Sequence, residues 1–252
     1  MQYTSDNEAV ASVSEDGLIT AVDSGTTNIT ASIGDISAQI KVTVIIPVKG
    51  ITIEMPRRVF SIGDKAEFTI VIDPPNATNA NVSVSYSGAS VTPAGDNSFT
   101  CNAAGEVIIT FSADNTRPIE ISIQVHDLAV FADEVFRLTN IERVNANLPE
   151  LTRYAPLNQT ALLRARETVT LWSHTRPDGR PFYTAFTDTN VEYLAAGENL
   201  AAGQKNPAEV VRSWMESTGH RENILAVEFG RLGVGVIMDD EGKIYWTQMF
   251  MD

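Results

Sequence analysis

The sequence predicts a multi-domain chain, an all-β sandwich region followed by an α+β domain, and three observations predict it. Residues 1–127 alternate apolar and polar side chains in short runs separated by Gly, Asp, Asn and Ser, with no helical period between them. Within that stretch a pattern recurs: Ile19-Thr20-Ala21-Val22-Asp23-Ser24-Gly25 matches Phe99-Thr100-Cys101-Asn102-Ala103-Ala104-Gly105. From Leu128 onward the spacing of apolar residues becomes helical, and residues 232–250 return to strands around a turn.

Taken in order, residues 1–46 hold Val10-Ala11-Ser12-Val13, Leu18 to Val22, Asn28 to Ala31 and Ala38 to Val44, each read as a strand. A second unit, 47–127, opens at Pro47-Val48-Lys49-Gly50-Ile51-Thr52-Ile53 and runs through Gly63-Asp64 and Pro74-Pro75-Asn76-Ala77-Thr78 to a closing strand at Val125. The first unit matches only the back half of the second, so the native chain is expected to continue upstream of Met1. His126 and Asp127 are read as the linker.

In the third segment, 128–252, Phe131, Val135, Leu138 and Ile141 fall on one helix face. A second helix is expected over 157–172, with Leu162, Ala165, Val169 and Trp172 inward and Arg164, Arg166 and Glu167 mostly off that face. Residues 176–191 carry Pro177, Gly179 and Pro181 and read as a long loop. A third helix has Asn206 as its cap, Pro207 at its first position and Glu209 in its first turn, with Val210, Val211 and Trp214 inward. Thr218-Gly219 is read as its stop, which puts His220 just past a helix end. Leu232 to Met238 and Lys243 to Phe250 form a hairpin around Asp239-Asp240-Glu241-Gly242, too short for a calcium loop.

Composition excludes several function classes. The net charge is -14, shared by both halves (15 acids against 6 bases in 1–127, 17 against 12 in 128–252), and no Lys/Arg cluster occurs, so no nucleic-acid partner is expected. No apolar run reaches membrane-spanning length, so no membrane span is expected; no signal peptide opens the chain. The single cysteine, Cys101, lies in an alternating strand and reads as a small buried apolar residue.

The landmarks of residues 47–127 resemble those of group 2 bacterial Ig-like domains, which are usually spacers or adhesive modules on bacterial surfaces. In the last segment Asn140-Ile141-Glu142-Arg143, Leu148-Pro149, Ser173-His174-Thr175-Arg176, Gly197-Glu198-Asn199, Gly219-His220-Arg221-Glu222-Asn223-Ile224-Leu225, Gly233-Val234-Gly235 and Tyr245 to Phe250 follow one another in an order that resembles the CAP superfamily of cysteine-rich secretory, antigen 5 and pathogenesis-related class 1 proteins, in its cysteine-poor bacterial branch. The resemblance implies an α-β-α sandwich, an extracellular or cell-surface location, and a central cleft lined by two histidines and two glutamates that in some members holds a divalent metal. By motif His174, Glu198 and His220 match three of the four. Where eukaryotic members carry the other glutamate this chain has Ser217, and Glu216 stands one residue earlier, turned by about 100° on a helix.

These residues support more than one chemistry. His174 and His220 could ligate zinc or another divalent metal with an open position for water, and Glu198, or Glu216, could serve as the catalytic base. A His-Glu-His cluster can also be a buried polar network. No H-E-x-x-H or G-x-S-x-G motif is present. Asn199 and Arg221 are placed in the ligand-binding cleft, while Arg176, Asp178 and Arg221 flank the histidines and read as surface ion pairs. The leading expectation is a non-enzymatic protein that binds a ligand, a lipid or a cell-wall component, in that cleft. The alternatives are a metal-dependent hydrolase or peptidase and an adhesin acting through its Ig-like units.

Overall fold

The computed structural model describes residues 1–252. The first unit consists of β1 (Gln2–Ser5), β2 (Ala11–Val13), β3 (Ile19–Ala21), β4 (Gly25–Ile33) and β5 (Ile36–Val44), as a β1-β4-β5 sheet facing a β2-β3 pair. The second unit adds β6 (Gly50–Glu54), β7 (Val59–Ser61), β8 (Lys65–Glu67) and β9 (Thr69–Asp73) before β10 (Val82–Tyr86), β11 (Val91–Pro93), β12 (Ser98–Cys101), β13 (Gly105–Ala113) and β14 (Ile119–His126). Its sheets run β10-β13-β14-β7 and β11-β12-β8, with a β6-β9 pair.

The internal repeat is structural. Gly25 pairs with Val44 as Gly105 pairs with Val125, and Ala11 pairs with Ala21 as Val91 pairs with Cys101. The first unit therefore reproduces the last five strands of the second and lacks counterparts of β6 to β9. The consequence is a thin core. Ile40 occupies the place of Ile121 in the hairpin register, yet is 59% exposed where Ile121 is 8% exposed. The second unit is fully packed around Phe60, Phe99, Phe111, Ile109 and Ile123, with Phe60–Phe99 and Phe68–Phe111 meeting edge to face. Cys101 is buried there, and burial pushes its thiol up to about 11.

The C-terminal domain has three layers. Its sheet, ordered β15-β17-β18-β16, is built from β15 (Thr152–Arg153), β16 (Ala196–Ala202), β17 (Arg231–Met238) and β18 (Ile244–Met251). Because side chains alternate along a strand, Trp246 and Phe250 of β18 face one way and Met249 and Met251 the other. On the first face lie α1 (Leu128–Asn145), α4 (Pro207–Glu216) and α5 (Thr218–Leu225); on the second lie α2 (Ala155–Thr170) and the short α3 (Thr184–Asp188). Gly233 and Gly235 let α2 lie directly on the sheet: a Cβ at either would come within 2.3 Å or 2.2 Å of the carbonyl oxygens of Leu157 and Ala161. Asn206 caps α4 as expected, and Asp127, read as a linker residue, is the N-cap of α1.

Four expectations change. The helix from Pro207 ends at Glu216, but α5 starts at Thr218, so His220 sits in the first turn of a helix instead of beyond one. The buried face of α2 is Leu157, Ala161, Arg164, Ala165 and Thr168, while Val169 and Trp172 are exposed; small residues, not large ones, mark the face pressed on the glycines. In α1, Val135 is joined by Thr139, Asn140 and Arg143, and Ile141 is 40% exposed. Arg143 is wholly buried and donates to the carbonyls of Pro149, Ile224, Ala226 and Phe229, tying α1 to the segment after α5. The segment 176–191 contains α3 and is pinned by ion pairs.

The β region meets the C-terminal domain through defined contacts. Arg57 donates to the carbonyl of Asp239 (3.0 Å) and to Asp64 (2.8 Å). The His126 ring lies tilted at 44° against Phe131, which stacks on Trp246.

Candidate functional site

The site is built on β16, an edge strand, and the Gly197-Glu198-Asn199 sequence explains why. Consecutive strand residues point to opposite faces, so Glu198 reaches the α2 side and Asn199 the α5 side. Gly197 makes room: a Cβ there would stand 2.8 Å from the Phe229 ring.

On the α2 side Glu198 is 4% exposed and accepts from Arg164 at both oxygens, Nε to Oε2 at 2.6 Å and Nη2 to Oε1 at 3.2 Å. Oε1 also lies 2.7 Å from His174 Nδ1. An ionised carboxylate only accepts, so Nδ1 carries the proton and Nε2 is the nitrogen left free. His174 keeps 59% of its side chain exposed. Behind this trio runs an alternating chain of charges. Arg164 also donates to Glu167 (2.5 Å) and to the Ser173 carbonyl (2.9 Å). Glu167 accepts from Arg176 (2.6 Å), which donates on to Asp188 (2.6 Å), where Arg180 also donates. This chain straps the segment after α2 onto the helix and delivers His174 to Glu198.

The charges respond accordingly. Burial opposes ionisation of Arg164, yet its bonds to Glu198 and Glu167 outweigh burial and hold the guanidinium above its ordinary range. Glu167 is likewise opposed by burial but held below the usual carboxylate range by Arg176 and Arg164. Arg176 is only 3% exposed, so it is an interior strut and not the surface ion pair expected; Asp178 pairs with Arg180 instead.

On the other side Asn199 is fully buried. Its Nδ2 donates to the His220 carbonyl (2.9 Å) and to Gln248 Oε1 (3.0 Å), and its Oδ1 accepts from Asn223 Nδ2 (2.9 Å). Asn223 also donates to the Glu198 carbonyl (3.1 Å). Asn199 thus fixes the turn of α5 that carries His220. Burial, and then the neighbouring His174, push His220 below the ordinary histidine value of 6.5.

His174, Glu198, Asn199 and His220 are therefore gathered around the edge of β16. Glu216 is exposed at the end of α4 and makes no ion pair or hydrogen bond to them. Arg221 is exposed and donates to the Met215 carbonyl (3.2 Å). Sequence reasoning missed Arg164 and Glu167; the signal was the small-residue face of α2, on which Arg164 falls one turn after Ala161. No group of three or more His, Cys, Asp or Glu side chains is arranged to hold a metal ion. His174 and His220 are the side chains here that could hold a divalent ion, with Glu198 holding Nδ1 of His174 and paired to Arg164.

Residues 136–250 match the model of the cysteine-rich secretory protein family (CAP), and residues 1–45 match a bacterial Ig-like domain. An uncharacterized protein of Bacillus subtilis (strain 168), YkwD, is 37% identical over 127 residues, 49% of this chain and 48% of its own length. A second from the same organism, the uncharacterized membrane protein YlbC, is 28% identical over 120 residues, 47% of this chain and 33% of its own length. The chain thus spans half or less of the curated relatives it matches. Among solved structures, an extracellular protein containing an SCP domain from Bacillus anthracis str. Ames superposes with a TM-score of 0.47 at 21% identity, covering 64% of this chain and 66% of that one.

Proposed function

We propose that this chain, which carries a CAP domain at residues 136–250 and a bacterial Ig-like domain at 1–45, is an extracellular protein that binds a ligand in the His174–Glu198–His220 cleft without transforming it. The observation behind this reading is the pairing of Glu198 with Arg164. A general base must be free to take a proton, but the carboxylate of Glu198 is buried and accepts two guanidinium hydrogen bonds and one from imidazole. Using it as a base means breaking a buried ion pair, at a cost of about 3–5 kcal/mol. His174 keeps 59% of its side chain exposed and His220 is half-buried, and their ring nitrogens are hydrogen-bonding groups suited to the polar head of a lipid or to a wall polymer. Co-sedimentation of the chain with purified peptidoglycan sacculi and with phosphatidylglycerol vesicles tests the reading. Binding to one of the two should fall about tenfold or more in His174→Ala and His220→Ala. Absence of binding to both, or binding indifferent to both substitutions, removes the reading.

A second reading, a metal-dependent hydrolase with His174 and His220 as ligands, draws on one feature. Metal-ligating histidines usually have their second nitrogen held by a carboxylate, as Glu198 holds Nδ1 of His174. Micromolar zinc binding lost in His220→Ala, with hydrolysis of a peptide library, is what that reading requires.

A further inference from the structure

A cavity remote from the His174–Glu198–His220 cluster, and independent of the reading of that cluster, lies where the β region meets the C-terminal domain. It measures about 530 Å³, within the size range of small-molecule sites, which often form between domains. Val59 and the end of β14, Gln124 and His126, make one wall; Gln204, Lys205, Lys243 and Ile244 make the other. We infer that this junction cavity binds a small hydroxyl-bearing organic monoanion of the sugar-acid class.

Three features carry the assignment. The first is charge. The chain has only five lysines and a net charge of -14, yet two of those lysines line this one cavity. Neither is in an ion pair. Lys243 is instead held over the Tyr245 ring, its Nζ 5.0 Å from the centroid. Glu241 is the one acid on the wall, so the lining carries a net single positive charge, which suits one carboxylate and disfavours a polyanion. The second is polarity. Only two of the ten lining residues are hydrophobic, and the Gln124 and Gln204 amides, each with one N–H already given to the Val125 carbonyl and the Ser213 hydroxyl, stand beside the His126 imidazole with one N–H left for a hydroxyl group. Burial holds His126 below its ordinary range, so at neutral pH it enters as an uncharged ring able to do both. The third is rigidity. Arg57 ties the hairpin tip to the β region at Asp239, and Gly242, with φ +85°, lets that tip rest on Val59, whose carbonyl oxygen would stand 3.2 Å from an added Cβ. The two walls are held apart at a fixed spacing, so a ligand need not order them. The site is complete only when both domains are present, and an occupant would bridge them.

The experiment titrates D-glucuronate, with D-glucose as the uncharged ring of the same shape, into the intact chain. The readout is amide chemical shifts of Gly203, Gly242 and Lys243 together with calorimetry. The expected result is saturable glucuronate binding, weakened about tenfold or more in Lys205→Gln/Lys243→Gln, with no saturable response to glucose. Both lysines are exposed, so the variant is expected to fold, and an unchanged melting temperature checks it. No response to glucuronate at about 10 mM, or equal binding by wild type and double variant, overturns the proposal.

Discussion

Arg164 has no exposed side-chain surface and touches two carboxylates, so the site stands or falls with it. Removing it by Arg164→Met leaves the buried Glu198 with only the His174 imidazole as partner, with an expected loss of about 3–5 kcal/mol in urea unfolding. Replacing both members, Arg164→Met with Glu198→Leu, should recover much of that loss, because an apolar pair leaves no stranded charge. A loss below about 1 kcal/mol in the single variant contradicts the pairing. Histidines add a pH dependence. His126 and His220 are both held below their ordinary 6.5 in the folded chain by burial, so between that value and their folded values the unfolded chain binds more protons. Stability is then complete above about pH 6.5 and falls as pH drops through that value toward the folded ones. Melting temperature should decline from pH 7 to pH 5, and His126→Gln/His220→Gln should flatten the decline. An unchanged slope in that variant contradicts the assignment. Glu198, Asn199 and both histidines could be named from the sequence because they sit in the short motifs that carry the resemblance, Ser173-His174, Gly197-Glu198-Asn199 and Gly219-His220. Arg164 could not, since an arginine on a helix is ordinarily read as solvated.

At the scale of elements, the decisive contact is α2 on the sheet. Gly233 and Gly235 allow it, and the contact sets the height from which Arg164 reaches Glu198. Gly235→Ala places a methyl 2.2 Å from the Ala161 carbonyl oxygen, and backbone cannot swing aside as a side chain can. The expected cost is about 3 kcal/mol or more, with weakened cleft binding, read by denaturant unfolding. An unchanged midpoint contradicts the close approach. Elements were legible where their signals are local. Asn206-Pro207 with Glu209 defines the start of α4 regardless of what packs against it, and the Asp239 to Gly242 turn defines the β17–β18 hairpin. Helix faces were not, where the buried side holds Thr139, Asn140 and Arg143 in α1 or alanines and Arg164 in α2. A polar residue bonded in the interior has the same letter as one in water, and only the partners tell them apart. The break at Ser217 was also hidden, because α5 restarts at once and carries no side-chain cap.

At the scale of the molecule, the chain is a series of units of unequal robustness. The sandwich over β6 to β14 closes on a phenylalanine core, whereas the five strands before it leave Ile33, Ile36 and Ile40 at 60%, 74% and 59% exposure. With so little buried apolar contact, residues 1–46 should open first. Limited thermolysin digestion is expected to cut there before anywhere else, leaving a fragment that retains the C-terminal domain; a first cut within 128–252 contradicts this. The repeat that reveals the first unit was plain in the sequence, as was the change from strands to helices at Leu128. The contact between the β region and the C-terminal domain was not, because nothing local in Arg57, Val59 or Gly242 announces a partner so distant along the chain. The central claim is that Glu198 is committed to Arg164 and His174, and the proposed role that rests on it is metal-free ligand binding beside the two histidines. Calorimetric titration of zinc into the intact chain, beside His174→Ala and His220→Ala, tests it most directly. The account predicts no stoichiometric heat at micromolar zinc in any of the three proteins. A one-to-one micromolar site that disappears in either variant would contradict it and make the cleft a metal centre.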